Sequence, residues 1–93
     1  MAVGLLTLEL FLAESHSLKD KRQVLRSLKD RLRGNFNVAV AELDFEDTWQ
    51  RSVIGVVTLA NEDHHVEETL QRVLAEADNL LGPLVVSHSV ELL

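Results

Sequence analysis

Seven of the chain's nine basic residues crowd into fifteen consecutive positions: Lys19, Lys21, Arg22, Arg26, Lys29, Arg31 and Arg33. Only Asp20 and Asp30 oppose them, so this segment carries +5, while the rest of a chain of net charge −6 carries −11. Sign asymmetry of this kind bears on partners and steering, not on fold. The pattern after Ser17 is helical, which puts Lys19, Lys21 and Arg22 in the first turns of a helix. Unpaired N–H groups there favour acids and disfavour cations by roughly 0.3–1 kcal/mol each. Free N–H groups plus three cations would seat an anion such as phosphate. Arg26 and Lys29, with Arg31 and Arg33 beyond, would extend the attraction along a nucleic-acid backbone. The competing account is that Asp44, Glu46 and Asp47 neutralise the cations, or that water does, which is the commoner fate of surface charge. Aromatic residues for stacking bases are sparse: the basic helix has none, and the chain has only Phe11, Phe36, Phe45 and Trp49.

A second group is Asp47-Thr48-Trp49-Gln50-Arg51, which sets the only tryptophan in a polar turn. Asp47, Trp49, Gln50 and Arg51 would suit a binding loop, because Trp and Arg are common anchors. Alternatively the indole folds back over the open end of the core, and this is the preferred expectation for Trp49. The histidines at 16, 64, 65 and 88 give no convergent ligand set: His64 and His65 point in different helix directions, His16 falls at the other end of the domain, and His88 is expected to be buried or locally paired in mid-strand. No metal and no cofactor is expected. There is no Gly-rich phosphate loop, no G-x-S-x-G and no cysteine. A disulfide framework, a thiolate zinc site and a thiol nucleophile are thereby excluded. The motifs point away from an enzyme.

The elements that position these groups follow from periodicity. Residues 3–12 alternate, with Leu6, Leu8, Leu10 and Leu12 on one side, and read as a central strand. Ser17 then caps a helix over about 18–33, with Leu18, Leu25, Leu28 and Leu32 on one stripe and Gly34 supplying a left-handed C-cap. Residues 35–45 alternate again, as do 51–60, and the polar break between them marks a hairpin. A second helix runs from Asn61 to Gly82-Pro83, with Val66, Leu70, Val73, Leu74, Ala77 and Leu81 inward. The tail, 84–93, is the last strand. No apolar run reaches the ~20 residues of a membrane span, and Met1 to Leu12 lacks a basic n-region, so no membrane association and a cytoplasmic address are expected.

The order β-α-β-β-α-β within 93 residues predicts a single domain, 1–93, of the ferredoxin-like α+β class. Its four-stranded antiparallel sheet should run 4-1-3-2, with both helices on one face. The loop after the first strand, the hairpin tip and the Gly82-Pro83 turn then share one end. On the uncovered face Leu5, Phe11, Leu43 and Phe45 gather, with Ala41 beside them. An apolar face of that kind suggests a partner surface or a homo-oligomer, most simply a dimer.

Three ordered motifs carry a family resemblance: Ser17-Leu18-Lys19-Asp20-Lys21-Arg22, then Phe36-Asn37-Val38-Ala39-Val40-Ala41-Glu42, then Asp47-Thr48-Trp49-Gln50-Arg51. Together they resemble the YlxP-like bacterial family of unknown function, departing only at Asp20 for Glu and Ala39 for Ser. The resemblance implies the same ferredoxin-like domain. Genes of that family often lie near those of a translation initiation factor and a ribosome maturation factor, which implies work near RNA or the ribosome. The expectation is a non-enzymatic accessory module that contacts phosphate through Lys19, Lys21, Arg22, Arg26 and Lys29.

Overall fold

The computed structural model describes residues 1–93. Alternation makes β1 (Ala2–Phe11) the spine of the sheet: Leu6, Leu8 and Leu10 are buried on one side, while Glu9 and Phe11 are exposed on the other. Helix α1 (Leu18–Asn35) follows. Then come β2 (Ala39–Asp44), β3 (Arg51–Ala60), α2 (Asp63–Leu81), a 3₁₀ turn at Gly82–Leu84 and β4 (Val85–Leu92). The strands lie in the order β2-β3-β1-β4, all neighbours antiparallel, as the βαββαβ pattern requires. Each β-α-β half crosses over, so the hairpin partners β2 and β3 lie together while β1 and β4 pair across the length of the chain. One continuous core joins Leu6, Leu8 and Leu10 to Leu25, Leu28 and Leu32 of α1 and to Val66, Leu70 and Val73 of α2. No helix is long and apolar enough to cross a membrane.

Two boundaries differ from the sequence expectation. Helix α1 does not stop at a left-handed Gly34; it continues to Asn35, and the extended Phe36 closes it by donating its N–H to the Leu32 carbonyl. Phe36 and Val38 pack against the core from a short connection, which pulls the start of β2 to Ala39 instead of residue 35. Helix α2 does end as expected, on Gly82 with φ of 57°, a conformation that costs a side-chain-bearing residue more than glycine.

Gly4 lets β1 approach α2 closely. A Cβ there would collide with Val66 Cγ1 and lie 2.9 Å from Leu70 Cδ1 of α2, both fully buried. Gly4→Ala should therefore lower stability by about 1–3 kcal/mol through overpacking. The check is a fall in the urea midpoint at unchanged m-value.

Candidate functional site

The seven cations of the α1 segment do not form one cluster; helix geometry sorts them. Lys21 stands four residues before Leu25 and seven before Leu28, on the core stripe, and is 1% exposed. Its Nζ donates to Glu42 Oε2 at 3.0 Å and to the carbonyls of Phe45, Glu46 and Arg51 at 2.7, 3.3 and 3.3 Å. Three N–H bonds are thus shared among four acceptors. Glu42 Oε2 also accepts from Ser52 Oγ at 2.5 Å, so the half-buried carboxylate is held from two sides. The expected assignment of Lys21 to an anion site is corrected: its charge is spent inside, on the hairpin. Glu42 and Ser52 share the inward parity of Val40 and Ile54, and that polar coincidence at core positions was the signal available in the sequence.

The same ammonium shapes the hairpin tip. The strand register slips between Glu42 and Asp44, and Phe45 adopts φ of 61°, a left-handed conformation rare for an aromatic residue and worth roughly 1–3 kcal/mol of strain. That conformation accompanies the short bond from its carbonyl to Lys21, and Asp44 Oδ1 accepts the Phe45 N–H at 2.8 Å. Gln50 ties the tip to the β1–α1 loop: its Nε2 donates to the Ala13 and Ser15 carbonyls, and its own carbonyl accepts from Leu12 N–H. The Arg51 guanidinium lies 4.0 Å from the Phe45 ring centroid. Of the proposed binding loop, Gln50 and Arg51 are therefore engaged locally, whereas Asp47 and Trp49 project outward. Trp49 does not fold over the core as expected; it is 53% exposed.

The helix N-terminus is not an anion seat either. Ser17 Oγ accepts the Asp20 N–H, and Asp20 Oδ2 accepts the His16 N–H, so the terminus is capped from within. The adjoining cleft of about 480 Å³ is lined by Phe11, Leu12, Val24 and Leu84 and by the acids Glu14 and Asp20, with no cation. Carboxylates there repel the phosphate that the sequence had placed at this end.

What remains is a stripe. Arg22, Arg26, Lys29 and Arg33, at spacings of four, three and four, line a polar groove of about 530 Å³ together with two acids, Asp30 of the same helix and Glu42 of β2 on the other side. β2 is an edge strand, so the groove runs between α1 and the outer margin of the sheet. Arg22, Arg26 and Lys29 make no ion pair, and Arg33 donates to the neutral Val40 carbonyl at 2.9 Å. Lys19, exposed and three residues before Arg22, extends the line beyond the groove. Arg31 points away, to Glu76 of α2 at 2.8 Å. Neither Glu46 nor Asp47 pairs with any of these cations. Sequence reasoning placed Arg31 and Arg33 together beyond Lys29 and did not separate them, because the stripe is defined by where β2 lies.

Of the expected interface residues, Leu5, Phe11 and Leu43 do share the uncovered sheet face, joined by Val57 and Leu59. Phe45 is half-buried beneath Arg51 instead. His88 is exposed, not buried. Glu62, His64 and His65 also come together at the start of α2, with donor atoms within 4.8 Å, contrary to the expectation that adjacent histidines diverge. All three are exposed, and the positive end of the helix opposes a cation there.

Fold and site together define a ferredoxin-like α+β domain with a basic groove along one sheet edge. The chain belongs to the family described as "Protein of unknown function (DUF503)", whose model matches residues 3–88. It is similar to "Uncharacterized protein YlxP" of Bacillus subtilis (strain 168), at 36% identity over 77 residues, covering 83% of this chain and 84% of that protein. Among solved structures, a dimeric ferredoxin-like protein of unknown function from Thermobifida fusca superposes with a TM-score of 0.52 at 15% identity, over 100% of this chain and 92% of that one. A C-terminal segment of the alpha subunit of aIF2 from Pyrococcus abyssi gives 0.51 at 15% identity, and this chain spans 49% of it. These two share the fold.

The hairpin assembly makes a stability prediction. Lys21→Met leaves a half-buried carboxylate and three carbonyls without the Lys21 donor and should cost about 2–3 kcal/mol. Lys21→Met combined with Glu42→Leu should recover part of that loss, because no unpaired charge stays behind. Chemical denaturation of the three proteins checks both statements.

Proposed function

We propose that the chain is a non-enzymatic accessory module that binds the phosphate backbone of RNA through the α1 groove, in the cytosol and close to ribosomes. The observation that supports it is the line of Arg22, Arg26, Lys29 and Arg33, cations without carboxylate partners in a chain otherwise strongly acidic. From Arg22 to Arg33 the helix rises about 16 Å, so its four cations can face about four backbone phosphates. Guanidinium groups suit phosphate oxygens because they donate in a planar fork. Lys21 contributes indirectly: by matching Glu42 it limits the repulsion that this groove-lining carboxylate would exert on an incoming anion. The scarcity of exposed aromatic side chains near the groove favours contact with backbone over stacking on bases, hence affinity without strong sequence preference. The ribosomal setting draws on the gene neighbourhood that the family resemblance implies.

Binding of a structured RNA at low salt, followed by fluorescence anisotropy, should show log K falling with log salt at a slope near −3 for about four phosphate contacts. Replacing Arg22, Arg26 and Lys29 by Ala should weaken binding more than tenfold and flatten that slope by about two. Absence of binding at low salt, or an unchanged affinity in the triple variant, would sink the proposal.

A second reading has its own observation. On the uncovered sheet face Phe11, Leu43 and Leu59 are 47%, 53% and 59% exposed, next to a shallow apolar hollow lined by Leu5, Ala41, Leu43 and Val57. A homo-oligomer that buries this face would remove those side chains from water. If so, Leu43→Glu should convert the assembly to monomer in light scattering; a native protein that is already monomeric at high concentration removes this reading.

A further inference from the structure

The two edges of the sheet are finished differently. Each edge strand slips register once, but β2 is also short and has Arg33 bonded to its Val40 carbonyl, devices that discourage a further strand. β4 has eight residues and carries no lysine, arginine or proline; its sole charge is Glu91, next to the strand's end. Most of it is exposed, including Val86 at 58% and His88. The Leu93 N–H donates to Val3 of β1, which fixes the alternation: residues 91, 89 and 87 turn their backbone groups toward β1, and residues 92, 90 and 88 turn theirs outward. An edge with outward N–H and C=O groups and no guarding charge is a template for another strand.

We infer that the occupant is β4 of a second copy, paired antiparallel about a two-fold axis through His88. The strand is self-complementary in that register. Val86 opposes Val90 of the partner and Ser87 opposes Ser89, so apolar meets apolar and hydroxyl meets hydroxyl; the register slip opposite Leu10 ends the regular pairing at Val86, before Glu91 meets a partner residue. His88, an outward residue, then forms a mutual hydrogen-bonded pair with its own copy. The axis of such a pair stands perpendicular to the sheet, so the two sheets join into one of eight strands with all four helices on one side. Both basic grooves come to lie at the far β2 edges, seven strand spacings or about 34 Å apart. The pairing stands independently of what those grooves bind. Because each copy carries net charge −6, association should tighten as salt rises.

The chain contains no cysteine, so a single introduced thiol reports on the register. His88→Cys should form a covalent dimer under mild oxidation, since opposed residues in a hydrogen-bonded antiparallel pair have Cα atoms about 5.5 Å apart, within disulfide reach. Ser87→Cys and Ser89→Cys should cross-link when mixed and poorly when alone. Native protein should show twice the 10.4 kDa mass of one chain in light scattering. His88→Lys, a substitution at an exposed position, should abolish the dimer while leaving the circular dichroism spectrum unchanged, and Leu43→Glu on the open face should leave the dimer intact. A monomeric native protein, or a dimer broken by Leu43→Glu and untouched by His88→Lys, overturns the inference. Cross-linking through Ser89→Cys alone overturns the register.

Discussion

The arrangement of the basic helix and the hairpin depends on one buried ammonium. A charge removed from water costs several kcal/mol unless it is surrounded by partners, and Lys21 meets that condition with a carboxylate and three carbonyls. Those partners come from β2, the hairpin tip and the first residue of β3, so a single side chain of α1 fixes three segments at once. The bulge between Glu42 and Asp44 and the left-handed Phe45 belong to the same construction, since a regular hairpin would not direct so many carbonyls at one point. Partial satisfaction would leave an unmatched charge in the core, so the assembly is expected to form or fail as a unit.

That construction also decides what the neighbouring surface can do. A helix advances about 100° per residue, so Arg22, adjacent to Lys21, leaves the core and begins the exposed stripe. Seven cations are thereby divided among an internal ammonium, a cross-helix pair at Arg31 and a line along the β2 edge with Lys19 at its end. Glu42 sits at the boundary, lining the groove while engaged by Lys21 and Ser52 from behind. Charge on the helix therefore serves folding at its inner face and leaves a solvent-facing line available for polyanions at its outer one. The cleft at the helix N-terminus, with Glu14 and Asp20 and no cation, has the opposite electrostatic character.

The sheet margins follow a related logic. On the β2 side α1 overhangs the strand, and Arg33 bonds one of its carbonyls; on the β4 side no side chain does the same. An open antiparallel sheet always has two such margins, and here only the β2 margin has a cation bonded to its strand. The difference separates a margin suited to anionic chains from a margin suited to another β-strand.

The strands, helices and their order were legible in the sequence because they rest on local periodicity: alternate leucines in β1, the 3.6-residue stripes of Leu25, Leu28 and Leu32 and of Val66, Leu70 and Val73, and the Gly82-Pro83 stop. The family motifs and the cationic content of α1 were equally plain. Three polar residues at core positions, Lys21, Glu42 and Ser52, stood in inward registers, yet nothing local could show that they meet, since 21 and 30 residues separate Lys21 from Glu42 and Arg51. The fate of each cation, the exposure of Trp49 and His88, and the extension of α1 past Gly34 were settled by tertiary packing. Periodicity assigns a residue to a face of its own element; which face meets core, edge or water depends on strands paired across the whole chain.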